Sequence, residues 1–126
     1  MRRRILSMFL AILLVVAMSL PVFAHAYTEY IDYAGEMVEA NARCGGDSYS
    51  VSTNTMATGF LVQSMAQVYL APTVSMPDGS YYYVWGNETR ISSRIVSDGV
   101  IALECIVGYH YAGGSEIYSA VVYPSE

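Results

Sequence analysis

Hydrophobic and polar residues alternate with a period of two along most of the chain, the spacing of strands that bury one face. Val38, Ala40, Ala42 and Cys44 alternate with Glu39, Asn41 and Arg43 before the turn-forming Gly45-Gly46-Asp47. Tyr49, Val51, Thr53, Thr55 and Ala57 alternate with Ser48, Ser50, Ser52 and Asn54. Past Gly59, the residues Val62, Ala66, Val68 and Leu70 oppose Gln63 and Gln67, until Pro72 and the turn Pro77-Asp78-Gly79. Tyr81 to Trp85 ends at Gly86-Asn87, and Ile91, Ser93 and Ile95 alternate with Arg90, Ser92 and Arg94. Asp98-Gly99 has the form of a two-residue hairpin turn. Ile101, Leu103, Cys105, Val107 and Tyr109 then take the apolar phase against Ala102, Glu104 and His110. Gly113-Gly114 leads into a last strand, Glu116 to Tyr123.

Turn signals recur every ~8–12 residues, which predicts an all-β fold: a small antiparallel sandwich or barrel of about seven to eight strands. Residues 30–43 also fit a helical stripe through Tyr30, Tyr33, Ala34, Met37, Val38 and Asn41. Gly35 weakens a helix there, and the strand reading is kept. An immunoglobulin topology is disfavoured, because Trp85 follows Cys44 by too long a stretch and Leu103 stands where a Tyr is expected.

The first 26 residues have a different character. Arg2-Arg3-Arg4 precedes an uncharged, predominantly apolar run from Ile5 to Leu20, then Pro21 and the small-residue exit Ala24-His25-Ala26. That is the layout of a secretory signal peptide over residues 1–26, with Val22-Phe23-Ala24 offering a second cleavage site two residues earlier. An uncleaved membrane anchor is the alternative, since the run approaches the ~20 residues that span a bilayer. Cleavage would leave a single exported domain, 27–126, with no stable membrane insertion. All eleven acids but only three of the six arginines lie in that domain, and there is no lysine, so its net charge is near −8. Binding nucleic acid through its phosphates needs basic partners, so a nucleic-acid partner is excluded. An apolar fraction of 54% excludes an intrinsically disordered chain.

Cys44 and Cys105 are the only cysteines, both beyond the leader and both on the apolar phase of their segments. In an oxidising compartment an even pair defaults to a disulfide, here one that crosses the core. No C-x-x-C spacing points to redox or metal chemistry instead.

Candidate chemistry is sparse. His110 is the one histidine after Ala26, and its expected place is an exposed strand position between Tyr109 and Tyr111. One histidine among many serines does not define a catalytic set, so no catalytic residue, metal ligand or cofactor is expected. Asp47, Asp78 and Asp98 each accompany a glycine turn without the ladder of a calcium loop. Asn87-Glu88-Thr89 is a glycosylation acceptor only in a host that glycosylates. Arg90 and Arg94 share a strand face and are expected to pair with surplus carboxylates. Ser48 to Pro77 carries no charge, which fits either buried central strands or an exposed edge open to strand addition.

Aromatic residues stand out: twelve tyrosines, Phe60 and Trp85 follow the leader. Tyr81, Tyr83 and Trp85 fall on one face of their strand, with Tyr82 and Val84 on the other. Facing solvent, such rings would stack on sugars or dock on a protein; facing inward, they would fill the core. The Arg leader, Ala42-Arg43-Cys44-Gly45-Gly46 and the hairpin Gly99 to Tyr123 make the layout similar to uncharacterised small secreted β-proteins of Gram-positive bacteria. That resemblance implies a secreted β domain and no particular activity. The expected function is a secreted, non-catalytic binding module for a neutral glycan or a protein surface, through Tyr81, Tyr83 and Trp85. A secreted antagonist of the bacteriocin or inhibitor kind, or a self-assembling surface subunit, would use the same scaffold.

Overall fold

A computed structural model describes residues 25–57 and 59–124 of the chain. Eight antiparallel strands form two four-stranded sheets packed face to face, and no helix occurs among the described residues. The strands are β1 (Ala26–Tyr33), β2 (Glu36–Cys44), β3 (Tyr49–Thr55), β4 (Val62–Leu70), β5 (Ser80–Trp85), β6 (Ser92–Ser97), β7 (Leu103–Ala112) and β8 (Ser115–Val122). The first sheet has the order β1-β2-β3-β6 and the second β5-β4-β7-β8.

The ambiguous segment 30–43 is strand on both sides of a tight turn. Ala34 and Gly35 take positive φ (53° and 81°), as a two-residue hairpin requires, and Gly35 marks the reversal. Gly113-Gly114 closes the β7–β8 hairpin in the same way, with φ of 57° and 80°. Asp98-Gly99 does not make a hairpin: β6 pairs with β3 and β7 with β4, so this connection carries the chain from one sheet to the other. The uncharged stretch from Ser48 to Pro77 supplies β3 and β4, each the inner neighbour of two strands. Its lack of charge is therefore that of central strands.

The main core joins Ala42, Cys44, Tyr49, Val51 and Ile95 of the first sheet to Ala66, Val68, Ile106 and Val122 of the second. A smaller cluster, Val38, Val62 and Ala112, closes the opposite end. Alternation gives the inward phase of β2, β3, β4 and β6 correctly. It fails on β7, where Ile106, Gly108, His110 and Ala112 are buried. Cys105, Val107, Tyr109 and Tyr111 hold the other phase.

That inversion removes the expected disulfide. Cys44 points into the core from β2, whereas Cys105 lies on the outward phase of β7, and both are unpaired thiols. Met1 to Ala24, the body of the expected signal peptide, lies outside the described residues. No helix among the described residues is long and apolar enough to cross a membrane.

Candidate functional site

The outer face of the second sheet is paved with rings. Cross-strand register sets Trp85 beside Met65 and Met65 beside Tyr109; Tyr83 beside Gln67; and Tyr81 beside Tyr69. Tyr111 follows on β7, its ring 5.7 Å from that of Trp85. Tyr81 lies 5.7 Å from Tyr69 and 5.8 Å from Tyr83, the latter pair edge to face. These are the separations at which aromatic pairs attract.

Tyr81, Tyr83 and Trp85 are 58%, 52% and 57% exposed, so all three candidate binding residues face solvent. The long rings of β5 and β7 lean over β4 and leave Met65 and Gln67 buried on an outward face. Gln67 accepts a 3.1 Å hydrogen bond from the Tyr109 hydroxyl through Oε1. Burial, with neighbouring Tyr69, Tyr83 and Glu116 adding to it, pushes the Tyr109 hydroxyl above its ordinary range. Burial and Glu116 do the same for Tyr111. Both hydroxyls therefore stay protonated, able to donate as well as accept. At one end of the face, Tyr69, Asp78, Gly79, Ser80 and Tyr81 line a hollow of about 470 Å³. Gly79 is required there: its φ is +76°, and a Cβ would stand 2.8 Å from the Leu70 carbonyl oxygen.

The inner face of the same sheet carries a polar chain. His110 is fully buried, not exposed as its flanking tyrosines suggested. Its Nε2 lies 2.7 Å from the Tyr27 hydroxyl and its Nδ1 2.8 Å from Thr53 Oγ1. Thr53 Oγ1 is 2.7 Å from Ser64 Oγ, which donates to the Ser93 carbonyl at 3.0 Å. Ser64 spends its one hydroxyl proton on Ser93, so it accepts from Thr53, and Thr53 accepts from His110 Nδ1–H. In the neutral ring that burial favours, Tyr27 then donates to Nε2, with the Gly108 carbonyl a longer 3.4 Å alternative. Burial lowers His110 to about 4, only partly offset by a backbone contact at Ser52. Every buried polar side-chain atom among the described residues has a partner. Gly108 makes room for this arrangement, since a Cβ there would collide with the Tyr27 hydroxyl.

His110, Thr53, Ser64 and Ser93 are buried, and Tyr27 is half-buried at the end of the polar chain. They are a structural network, which sequence patterning missed because β7 reads in the wrong phase. The signal for it was Gly108, a strand-interior glycine two residues before a histidine and so on the same face, where close approach by another side chain is the usual reason.

The outer face of the first sheet differs again. Thr28 donates to Asn41 (2.7 Å), Asn41 to Glu39 (2.6 Å), Asn54 to Glu39 (3.2 Å) and Ser92 to Asn54 (2.5 Å). That chain of side chains ties all four strands together. Arg43 and Arg94 line a hollow of about 630 Å³ with Ser50 and Asp98, whereas Arg90 lies before β6 beside Phe60 and Leu61. Arg90 and Arg94 thus do not share a strand face, and neither forms an ion pair among the described residues. No group of three or more His, Cys, Asp or Glu among the described residues is placed to hold a metal ion.

No protein-family model, curated protein or solved structure matches the chain.

Proposed function

We propose that this is an exported, non-catalytic binding module whose ligand is a neutral glycan, seated on the outer face of the β5-β4-β7-β8 sheet. One observation carries the reading: a continuous field of aromatic rings, with Tyr81, Tyr83 and Trp85 more than half exposed. Flat rings stack on the apolar faces of sugar rings and lose little side-chain entropy in doing so. Polar groups for the sugar hydroxyls stand at the same place: the Tyr109 hydroxyl, which also donates to Gln67, the Tyr111 hydroxyl, and the Asp78 carboxylate in the hollow beside Tyr81. The net charge near −8 disfavours anionic polysaccharides and membranes, which leaves uncharged sugars.

The test is a titration of neutral oligosaccharides and polysaccharides against the wild type, Trp85→Ala and Tyr83→Ala. Either substitution is expected to weaken binding at least about tenfold. It should move the unfolding free energy by less than about 1.5 kcal/mol, the scale of one exposed ring pair. No binding to any neutral glycan, or binding untouched by both substitutions, overturns the proposal. Capture of a protein ligand through the same two residues would assign the face to the alternative partner.

A further inference from the structure

We infer that the free edge of β5 pairs with the same edge of a second copy of this chain, making a two-fold dimer whose aromatic faces run together. The sandwich has four edge strands, β1, β6, β5 and β8. Three of them carry charge: Glu29 and Asp32 on β1, Arg94 on β6, Glu116 on β8. Charged residues on an edge are the usual guard against pairing with another chain. β5, Ser-Tyr-Tyr-Tyr-Val-Trp, has no charge, no proline and no glycine, and β4 is its only strand partner. Its composition favours strand pairing throughout.

The direction of its free backbone groups follows from the ladder. Gly86 N–H donates to the Ser64 carbonyl at 2.8 Å, in register with the β4–β5 pairing. Hydrogen-bonded and non-hydrogen-bonded positions alternate in an antiparallel pair. Ser80, Tyr82 and Val84 therefore point their backbone groups at β4. Tyr81, Tyr83 and Trp85 point theirs outward, along the open edge. These are the residues whose rings stand on the exposed face.

Charge decides what fits this edge. Two copies of an acidic protein repel, and β1 against β1 or β8 against β8 would set carboxylates opposite one another. β5 against β5, centred on Tyr83, sets Tyr83 opposite itself and Tyr81 opposite Trp85, with no charge in the contact. Every outward N–H and C=O of the three residues then finds a partner, and an isologous contact closes on itself. Asp78 and Glu88 lie just beyond the two ends and approach their counterparts, so added salt tightens the dimer. A contact one strand long is small, which makes the dimer concentration-dependent.

Sedimentation of the exported protein without glycan, across a concentration and salt series, reads this directly. The wild type is expected to pass from monomer to dimer as concentration rises, at lower concentration in higher salt. Tyr83→Pro removes an outward N–H without touching the ladder to β4, a place where an edge strand accepts proline. Tyr83→Lys sets two like charges against each other on the two-fold axis. Each is expected to raise the dissociation constant at least about tenfold, with circular dichroism checking the fold. A monomer at all concentrations, open-ended polymers, or dimerisation unchanged in the folded variants overturns the inference. Glycan binding by a monomer would leave the proposed function standing alone.

Discussion

The two sheets solve the same burial problem in different ways. The β1-β2-β3-β6 sheet puts Val38, Ala40, Ala42, Cys44 and Val51 inside and a hydrogen-bonded ladder of Thr28, Asn41, Glu39, Asn54 and Ser92 outside. The β5-β4-β7-β8 sheet places His110 and Ser64 inside and six aromatic rings on or near its outer surface. Its inner polar groups cost desolvation and are tolerated because each is bonded. Its outer rings leave apolar surface in water that folding alone would cover. The buried polar chain draws on both sheets, Tyr27, Thr53 and Ser93 from the first and Ser64 and His110 from the second. What sets the second sheet apart is its outer field of exposed rings.

The largest expected effect lies on the inner side. Unfolded, His110 takes up a proton below its ordinary value of 6.5; folded, it resists until about 4. Stability from this group is complete above pH 6.5, falls as pH drops through that window, and levels off below 4. The loss is about 3 kcal/mol. Urea unfolding at pH 7 and pH 4.5, with His110→Gln as the variant, measures it: the wild type should weaken steeply and the variant, less stable at pH 7, should lack most of that dependence. Equal slopes would mean that the ring is not held neutral.

The outer faces give a smaller contrast. Trp85→Ala on the second sheet should abolish most ligand binding, and Ser52→Ala on the first should leave it unchanged. Both should stay within about 1.5 kcal/mol of wild-type stability. A Trp85→Ala loss of ~3–5 kcal/mol would class its ring with the core.

The thiols test the same division one residue at a time. Burial, with Cys105 adding to it, pushes Cys44 up to about 11, and it is almost wholly buried. Cys105, on the outward phase, is only half buried, though burial and Glu104 raise it as well. Timed alkylation of the native protein should label Cys105 at least about tenfold faster than Cys44, thiolate and access both favouring it. Reversed order, or no labelling without reductant, would contradict the two-thiol arrangement.

The smallest difference concerns two residues at the start of the first sheet. Cys44 N–H donates to the His25 carbonyl at 2.9 Å, the His25 ring lies 3.0 Å from the Tyr123 carbonyl, and Ala26 pairs with Arg43. Cleavage after Ala26 would discard all three contacts; cleavage after Ala24 keeps them. N-terminal sequencing of the exported form is expected to begin at His25, and a start at Tyr27 would show that β1 does without them.

Alternation made the first sheet legible, because there polar and apolar residues follow burial. It also placed Tyr81, Tyr83 and Trp85 together, leaving only their direction open. It failed on β7, where Val107, Tyr109 and Tyr111 look like the core and a histidine and a glycine are the core. Period two fixes which residues share a face but not which face is inside. The Asp98-Gly99 turn misled for a related reason: turn chemistry signals a reversal, while the choice of partner strand depends on contacts distant in the chain.

One bond has a consequence for timing. The Tyr27 hydroxyl, on the first strand, completes the partnership of a histidine 83 residues further along. A chain emerging from its N-terminus cannot satisfy Tyr27 until β7 has also emerged, and contacts so far apart in sequence form slowly. The Tyr27–His110 bond is thus one that only a chain complete through β7 can close, and it staples the first strand to the seventh across the two sheets.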